Sequence, residues 1–155
     1  MTAQQMWRQY AAACGAGQEY DAWAFGPDAD ALAALVLRGE KTAVASALPL
    51  YEAEHAPLPR PGQHSVVLGA DGQAVCIICT EKVAVVPFCE VDAAHAFREG
   101  EGDKSLAFWR QAHEAFFSQE LRQAGLAFGP GMKVVCEDFR VVWPLDAAVR
   151  KEATV

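Results

Sequence analysis

Apolar side chains recur at helical intervals in some stretches of this chain and alternate with polar ones, or run on, in others. Between Thr2 and Cys14, Met6, Trp7 and Tyr10 share a helical stripe that Gly15-Ala16-Gly17 ends, which predicts a first helix. A second is predicted from Asp28 to Arg38, with Pro27-Asp28 as its start, Leu32, Leu35 and Val36 as its stripe, and Gly39 at its stop. Thr42 to Leu50 is dense in small and β-capable residues and reads as a strand or extended turn. The run Pro57-Leu58-Pro59-Arg60-Pro61-Gly62 is a loop, because proline cannot donate to a sheet ladder. Strands are predicted at His64–Leu68, Ala74–Val86 and Met132–Trp143, the first two joined by a hairpin at Ala70-Asp71-Gly72-Gln73. Helices at Val91–Arg98 and Ser105–Gln123 lie between them, the longer carrying Leu106, Trp109, His113, Phe116, Phe117 and Leu121 on a face that must pack on the sheet. Trp23 falls in a loop before the second helix, and residues after Pro144 read as a tail.

Composition narrows the setting. A chain of 155 residues, 52% hydrophobic and 21% charged, suits one α+β domain with one core. No apolar run approaches the roughly 20 residues needed to cross a bilayer. Residues 1–16 lack the basic-then-apolar order of a signal peptide, so no membrane association and a cytoplasmic location are expected. The five cysteines, odd in number and set among apolar neighbours, read as reduced buried thiols. A net charge of −7, from 20 acidic against 13 basic side chains, excludes a broad surface that relies on phosphate attraction and leaves room for a local basic pocket.

The candidate chemistry is sparse. Lys41 follows a helix stop and precedes a strand. Its amine either enters a cleft beside the hydroxyls of Thr42 and Ser46, as a base or a phosphate-binding charge, or stays solvated in a turn. In Glu101-Gly102-Asp103-Lys104-Ser105, Asp103 and Ser105 either cap the following helix or reach into a ligand pocket. Trp23, Phe25 and Trp109 offer faces for stacking a base, or pack in the core. Cys76-Ile77-Ile78-Cys79 has a metal-motif interval, but on a strand residues three apart face opposite sides, and no second pair completes a tetrahedron. The histidines at 55, 64, 95 and 113 form no ligand motif, although His113 lies one turn from Trp109. No metal or cofactor is expected, and there is no phosphate-binding glycine loop.

The order of these segments is more telling. Trp23-Ala24-Phe25-Gly26, then Leu35 to Ser46 with Gly39-Glu40-Lys41-Thr42 at its centre, then Pro61 to Leu68, then Gly100 to Ser105 leading to Trp109, resembles the ASCH domain family. The resemblance covers about residues 22–144 and is closest to bacterial stand-alone members. It implies a β-barrel similar to the PUA fold, mixed but mostly antiparallel, with flanking helices around a core of about residues 20–144 and a cleft near Lys41. Relatives of that fold bind RNA or nucleotides, and some ASCH proteins are ribonucleases on single-stranded RNA or amidohydrolases of acetylated cytidine. In the amidohydrolase branch a threonine three residues beyond the lysine is the nucleophile; here that position is Val44, without a hydroxyl. The branch's glutamate, placed on the following sheet strand, falls at Cys79, with Glu81 two residues on as its substitute and Ser46 as a substitute hydroxyl.

Three functions follow. The first is binding of single-stranded RNA or a nucleotide-like small molecule by Trp23, Phe25, Lys41, Thr42, Ser46, Asp103, Ser105 and Trp109. The second is a metal-independent hydrolase using Lys41, Ser46 and Glu81, in which a ribonuclease would employ the substrate's own 2′-hydroxyl. The third is a partner-binding domain with a degenerate pocket.

Overall fold

The computed structural model describes residues 1–147. Helix α1 (Ala3–Cys14) opens on a capping box in which Thr2 and Gln5 satisfy each other's backbone amides, and closes at Gly15 in the left-handed conformation. Strand β1 (Asp21–Ala24) follows, so Trp23 lies on a strand and not in a loop. Four residues between glycine- and proline-containing segments show too little alternation to read as a strand; pairing with a segment some forty residues downstream makes them one. Helix α2 (Ala29–Leu37) buries Ala29, Ala33 and Val36.

Strand β2 (Ala43–Ala47) passes directly into helix α3 (Leu48–Glu54), where an extended run to Leu50 was expected. Pro49 lies in the first turn of α3, where its fixed φ is pre-organised and its missing N–H costs nothing. Strands β3 (His64–Leu68) and β4 (Ala74–Pro87) form the expected hairpin, with Gly72 at positive φ in its turn. Helices α4 (Ala93–Glu99) and α5 (Leu106–Gln123) precede strand β5 (Lys133–Trp143).

The strands join in the order β1-β3-β4-β5-β2 as one curled half-barrel; β1 and β3 run parallel and every other pair antiparallel. This is the PUA-like α+β architecture, with β1 and β2 as the two edges. Pleat alternation divides the core by face. Phe25, Ala33, Val36, Val67, Cys76, Ile78, Phe139 and Val141 form one cluster beneath α2. On the opposite face Met6, Trp7 and Tyr10 of α1 meet Val66, Ile77 and Cys79, while Trp109, Phe117 and Leu121 of α5 meet Ala45, Ala47 and Val134. Cys76 and Cys79 thus fall on opposite faces. All five thiols are unbonded to one another, but Cys14 and Cys89 are exposed, contrary to the expectation of buried cysteines. Ala147 packs in the first cluster, so the chain stays attached beyond Pro144; residues 148–155 of the expected tail lie outside the described residues. Among the described residues no helix is long and apolar enough to cross a membrane.

Candidate functional site

Two ends of helices meet at Lys41. Helix α2 stops at Gly39, whose φ of 77° returns the chain so that the amides of Glu40 and Lys41 both bond the Leu35 carbonyl. Helix α4 starts on the Asp92 side chain and stops at Gly100, and Thr42 N–H donates to the Arg98 carbonyl at 2.8 Å. Gly100 is where the two segments touch. A Cβ there would lie 2.3 Å from the Glu40 carbonyl oxygen, so only glycine permits the approach.

This contact buries the lysine. Lys41 is 1% exposed, and its amine donates to Glu99 Oε1 at 3.2 Å, Glu101 Oε2 at 2.9 Å and the Glu99 carbonyl at 3.4 Å, above the ring of Phe25. An ammonium has three protons, and all three are engaged. Glu99, equally buried, also accepts from His95 Nε2 at 2.7 Å and Trp109 Nε1 at 2.6 Å, while His113 Nε2 lies 3.3 Å from its other oxygen. Burial alone would push the Glu99 carboxyl up; hydrogen bonds from His113 and His95 and the charge of Lys41 outweigh it and hold the group well below the usual carboxylate range. For His113 burial opposes charge, but the bond to Glu99 and its negative charge prevail and raise its pKa. His113 Nδ1 donates to the Trp109 carbonyl at 2.9 Å, and the two rings stack with centroids 4.2 Å apart. Lys41 and a protonated His113 then balance Glu99 and Glu101. Glu99, Glu101 and His113 offer ligand atoms within 4.8 Å of one another, a spacing that suits a cation; the Lys41 ammonium already stands at both carboxylates.

The cluster forms one wall of a cavity of about 510 Å³ that Trp23, Phe25, Val44, Ser46 and Phe116 also line. A second cavity of about 290 Å³ shares Trp23, Val44 and Ser46 and adds Asp21, Tyr51, Ser65 and Glu137. Trp23 comes from edge strand β1, and Val44 and Ser46 from edge strand β2. The cleft therefore occupies the gap between the sheet's two edges. Ser46 Oγ is 2.8 Å from the Tyr51 hydroxyl.

Of the residues singled out in the sequence, Trp23, Phe25, Lys41 and Ser46 converge on this cleft. Thr42 directs its hydroxyl toward the Arg98 carbonyl and does not line it. Asp103 is bonded by the Ser105 amide, and Ser105 caps α5 by accepting from Phe108 N–H; neither lines the cleft. Trp109 is 2% exposed with its face against His113, so its contribution is the indole hydrogen bond to Glu99 and not an open stacking surface. Glu81 lies in the bulge between Thr80 and Lys82, half exposed and 3.5 Å from Arg140, and not beside Lys41. The acids beside the lysine are Glu99, from the end of α4, and Glu101, two residues on, and neither comes from a sheet strand.

Sequence reasoning passed over Glu99, His95 and Glu137. His95 and Glu99 are an i,i+4 pair on one short helix, and Glu137 interrupts the apolar alternation Val135, Phe139, Val141; both signals are present in the sequence.

A curled half-barrel of mixed strands, with a buried lysine–carboxylate cluster beside the gap between its edges, defines a PUA-like domain. The chain belongs to the ASCH domain family, whose sequence model matches residues 21–143. It is similar to the crystal structure of an ASCH domain from Lactobacillus crispatus JV V101, with 36% identity, 90% of this chain and 92% of the other covered, and a TM-score of 0.83. It is also similar to protein EF3133 from Enterococcus faecalis V583, at 33% identity over 90% of this chain and 86% of that one, with a TM-score of 0.84. No curated protein matches the chain.

Proposed function

We propose that the cleft binds a nucleotide-like ligand, free or as one unit of single-stranded RNA, with its ring against Trp23 and a carbonyl or phosphate oxygen received by Lys41. Family membership supports a general RNA-binding or hydrolase-like domain. The observation that carries the narrower reading is the Lys41 amine, buried at the wall of a cavity of about 510 Å³ and flanked by aromatic side chains. A cavity of that size lies within the range of roughly 300–1,000 Å³ that small ligands use. Because all three ammonium protons are engaged, a ligand oxygen must replace one acceptor. Glu101 is the one to yield: its side chain is 23% exposed, whereas Glu99 is 1% exposed and held by other donors.

The same geometry favours binding over hydrolysis. The Lys41 amine is taken up by two carboxylates and not by a hydroxyl that it could activate, Val44 has no hydroxyl, and Ser46 is bonded to Tyr51 and not to the lysine.

Calorimetric titration of nucleosides and nucleoside monophosphates, with parallel incubation of single-stranded RNA, tests this reading. Lys41→Gln should abolish binding, and Glu101→Gln, which removes the competing charge while keeping the lysine, should strengthen it several-fold. A folded Lys41→Gln protein that binds as well as the parent, or cleavage of RNA that requires Lys41, would overturn it.

A further inference from the structure

The second cavity contains a carboxyl that the lysine cluster does not use. Glu137 sits on β5 directly opposite Val44, and the only hydrogen bond of its side chain among the described residues is from the Thr80 hydroxyl to Oε1 at 3.3 Å. No buried side-chain polar atom among the described residues lacks a partner, so the second oxygen of Glu137, which has no donor among those residues, opens on the cavity that it lines. That cavity holds two carboxyls, Asp21 and Glu137, the hydroxyls of Ser46, Tyr51 and Ser65, the amide of Gln63, whose N–H donates to Asp21, and no lysine or arginine. Such a lining rejects an anion and welcomes N–H donors. Trp23 is common to both cavities, so a ring lying on it would have one end toward Lys41 and another toward Glu137.

We propose that Glu137 is the specificity-determining group of the cleft and recognises a heterocyclic edge that sets an exocyclic amine beside an unprotonated ring nitrogen. This deepens, and rests on, the nucleotide-binding reading. Because the Thr80 hydroxyl donates to Oε1, that atom is the carbonyl oxygen of the protonated carboxyl and Oε2 carries the proton. A base held in one pose is therefore matched when its amine donates to Oε1 and its ring nitrogen accepts from the Oε2 O–H, whereas a keto oxygen and a ring N–H in those places would set acceptor against acceptor and donor against donor. Ionised, it presents two acceptors, and one of them meets the ring nitrogen's lone pair. Burial pushes the Glu137 carboxyl up to about 7, with the Thr80 bond acting in the opposite direction, so both forms are populated near neutrality. The other titratable groups lining the cavity are Asp21 from β1 and Tyr51 from α3; β2 and β3 line it with the hydroxyls of Ser46 and Ser65, and β4 offers Glu137 the hydroxyl of Thr80. Tyr51 is raised above its ordinary 10.0, chiefly by burial, and stays neutral across the range of the test.

The experiment compares adenosine with inosine, and cytidine with uridine, by calorimetric titration of the full chain from pH 5.5 to 8.5. The amino member of each pair is expected to bind roughly tenfold more tightly below pH 7, the scale of a good bidentate base contact. That preference should decline as pH rises through about 7. Glu137→Gln, whose amide reproduces the donor and acceptor of the protonated carboxyl, should keep the preference and lose its pH dependence. Glu137→Leu should lose the preference, and Asp21→Asn should leave both intact. Equal binding within each pair, or a preference that survives in Glu137→Leu, overturns the proposal while leaving nucleotide binding in place. Absence of binding by any nucleoside or nucleotide overturns both.

Discussion

Gly100 shows how a single atom sets the geometry of the cleft. Its φ of 72° and the 2.3 Å that would separate an added Cβ from the Glu40 carbonyl oxygen mean that any side chain forces α4 away from Lys41. Gly100→Ala should therefore destabilise the protein by at least about 2 kcal/mol in chemical denaturation, combining a left-handed residue with an overpacked contact. A variant as stable as the parent would show that the α2–α4 contact relaxes without cost. His113 makes a pH-dependent contribution of definite sign. Its pKa is raised above the ordinary 6.5, so the folded protein holds the proton more tightly than the unfolded chain. The stabilisation is complete below pH 6.5 and disappears as pH rises through the folded-state value. Melting temperatures measured from pH 6 to 9 should fall more steeply for the parent than for His113→Gln; parallel curves would contradict the assignment. Lys41 and Glu99 were differently legible at this scale. The lysine stood out because a helix stop precedes it, whereas Glu99 looked like the acidic end of a short helix until folding placed it 3.2 Å from the amine.

At the level of elements, α5 is the support on which the buried cluster rests. Its start is set by Ser105, and one face carries Trp109, Phe117 and Leu121 onto Ala45, Ala47 and Val134. Phe117→Ala should cost about 3–5 kcal/mol in denaturation experiments, as expected for an aromatic with no exposed surface. Phe97→Ala, at a residue 62% exposed on α4, should stay within about 0.5 kcal/mol, and a similar loss at both sites would argue against this packing. Long elements with a repeated pattern were readable from the chain: α1, α2, α5, β3, β4 and β5 all lie within a few residues of their predicted bounds. The elements that were missed are short. Strand β1 exists because β3 pairs with it, and α3 begins at a proline-containing turn where the small residues of β2 seemed to continue. Propensity over so few residues is weaker than the long-range contacts that decide them.

For the molecule as a whole, charge constrains what the cleft can do. Lys41 is the one lysine or arginine lining the two cavities, against Asp21, Asp28, Glu99, Glu101, Glu120 and Glu137. With a net charge of −7 around it, the nucleotide binding proposed above would neutralise about one phosphate. The logarithm of the affinity for a single-stranded oligonucleotide should therefore fall with the logarithm of salt at a slope no steeper than about −1, since each phosphate neutralised contributes roughly −0.7. A much steeper slope would reveal a basic surface beyond the cleft. The sequence by itself determined the α+β class, the principal helices and strands and the hairpin at Asp71-Gly72, and it marked Lys41 as a candidate, because periodicity, turn chemistry and an ordered series of short motifs are local properties of a chain. Only the tertiary structure decided what Lys41 meets. Curling the sheet brought β1 and β2 to the two sides of one gap, the end of α4 closed on the lysine through Gly100, and Glu137 turned a carboxyl inward. Such juxtapositions depend on strand order and helix packing between residues far apart in the chain, and no local pattern encodes them.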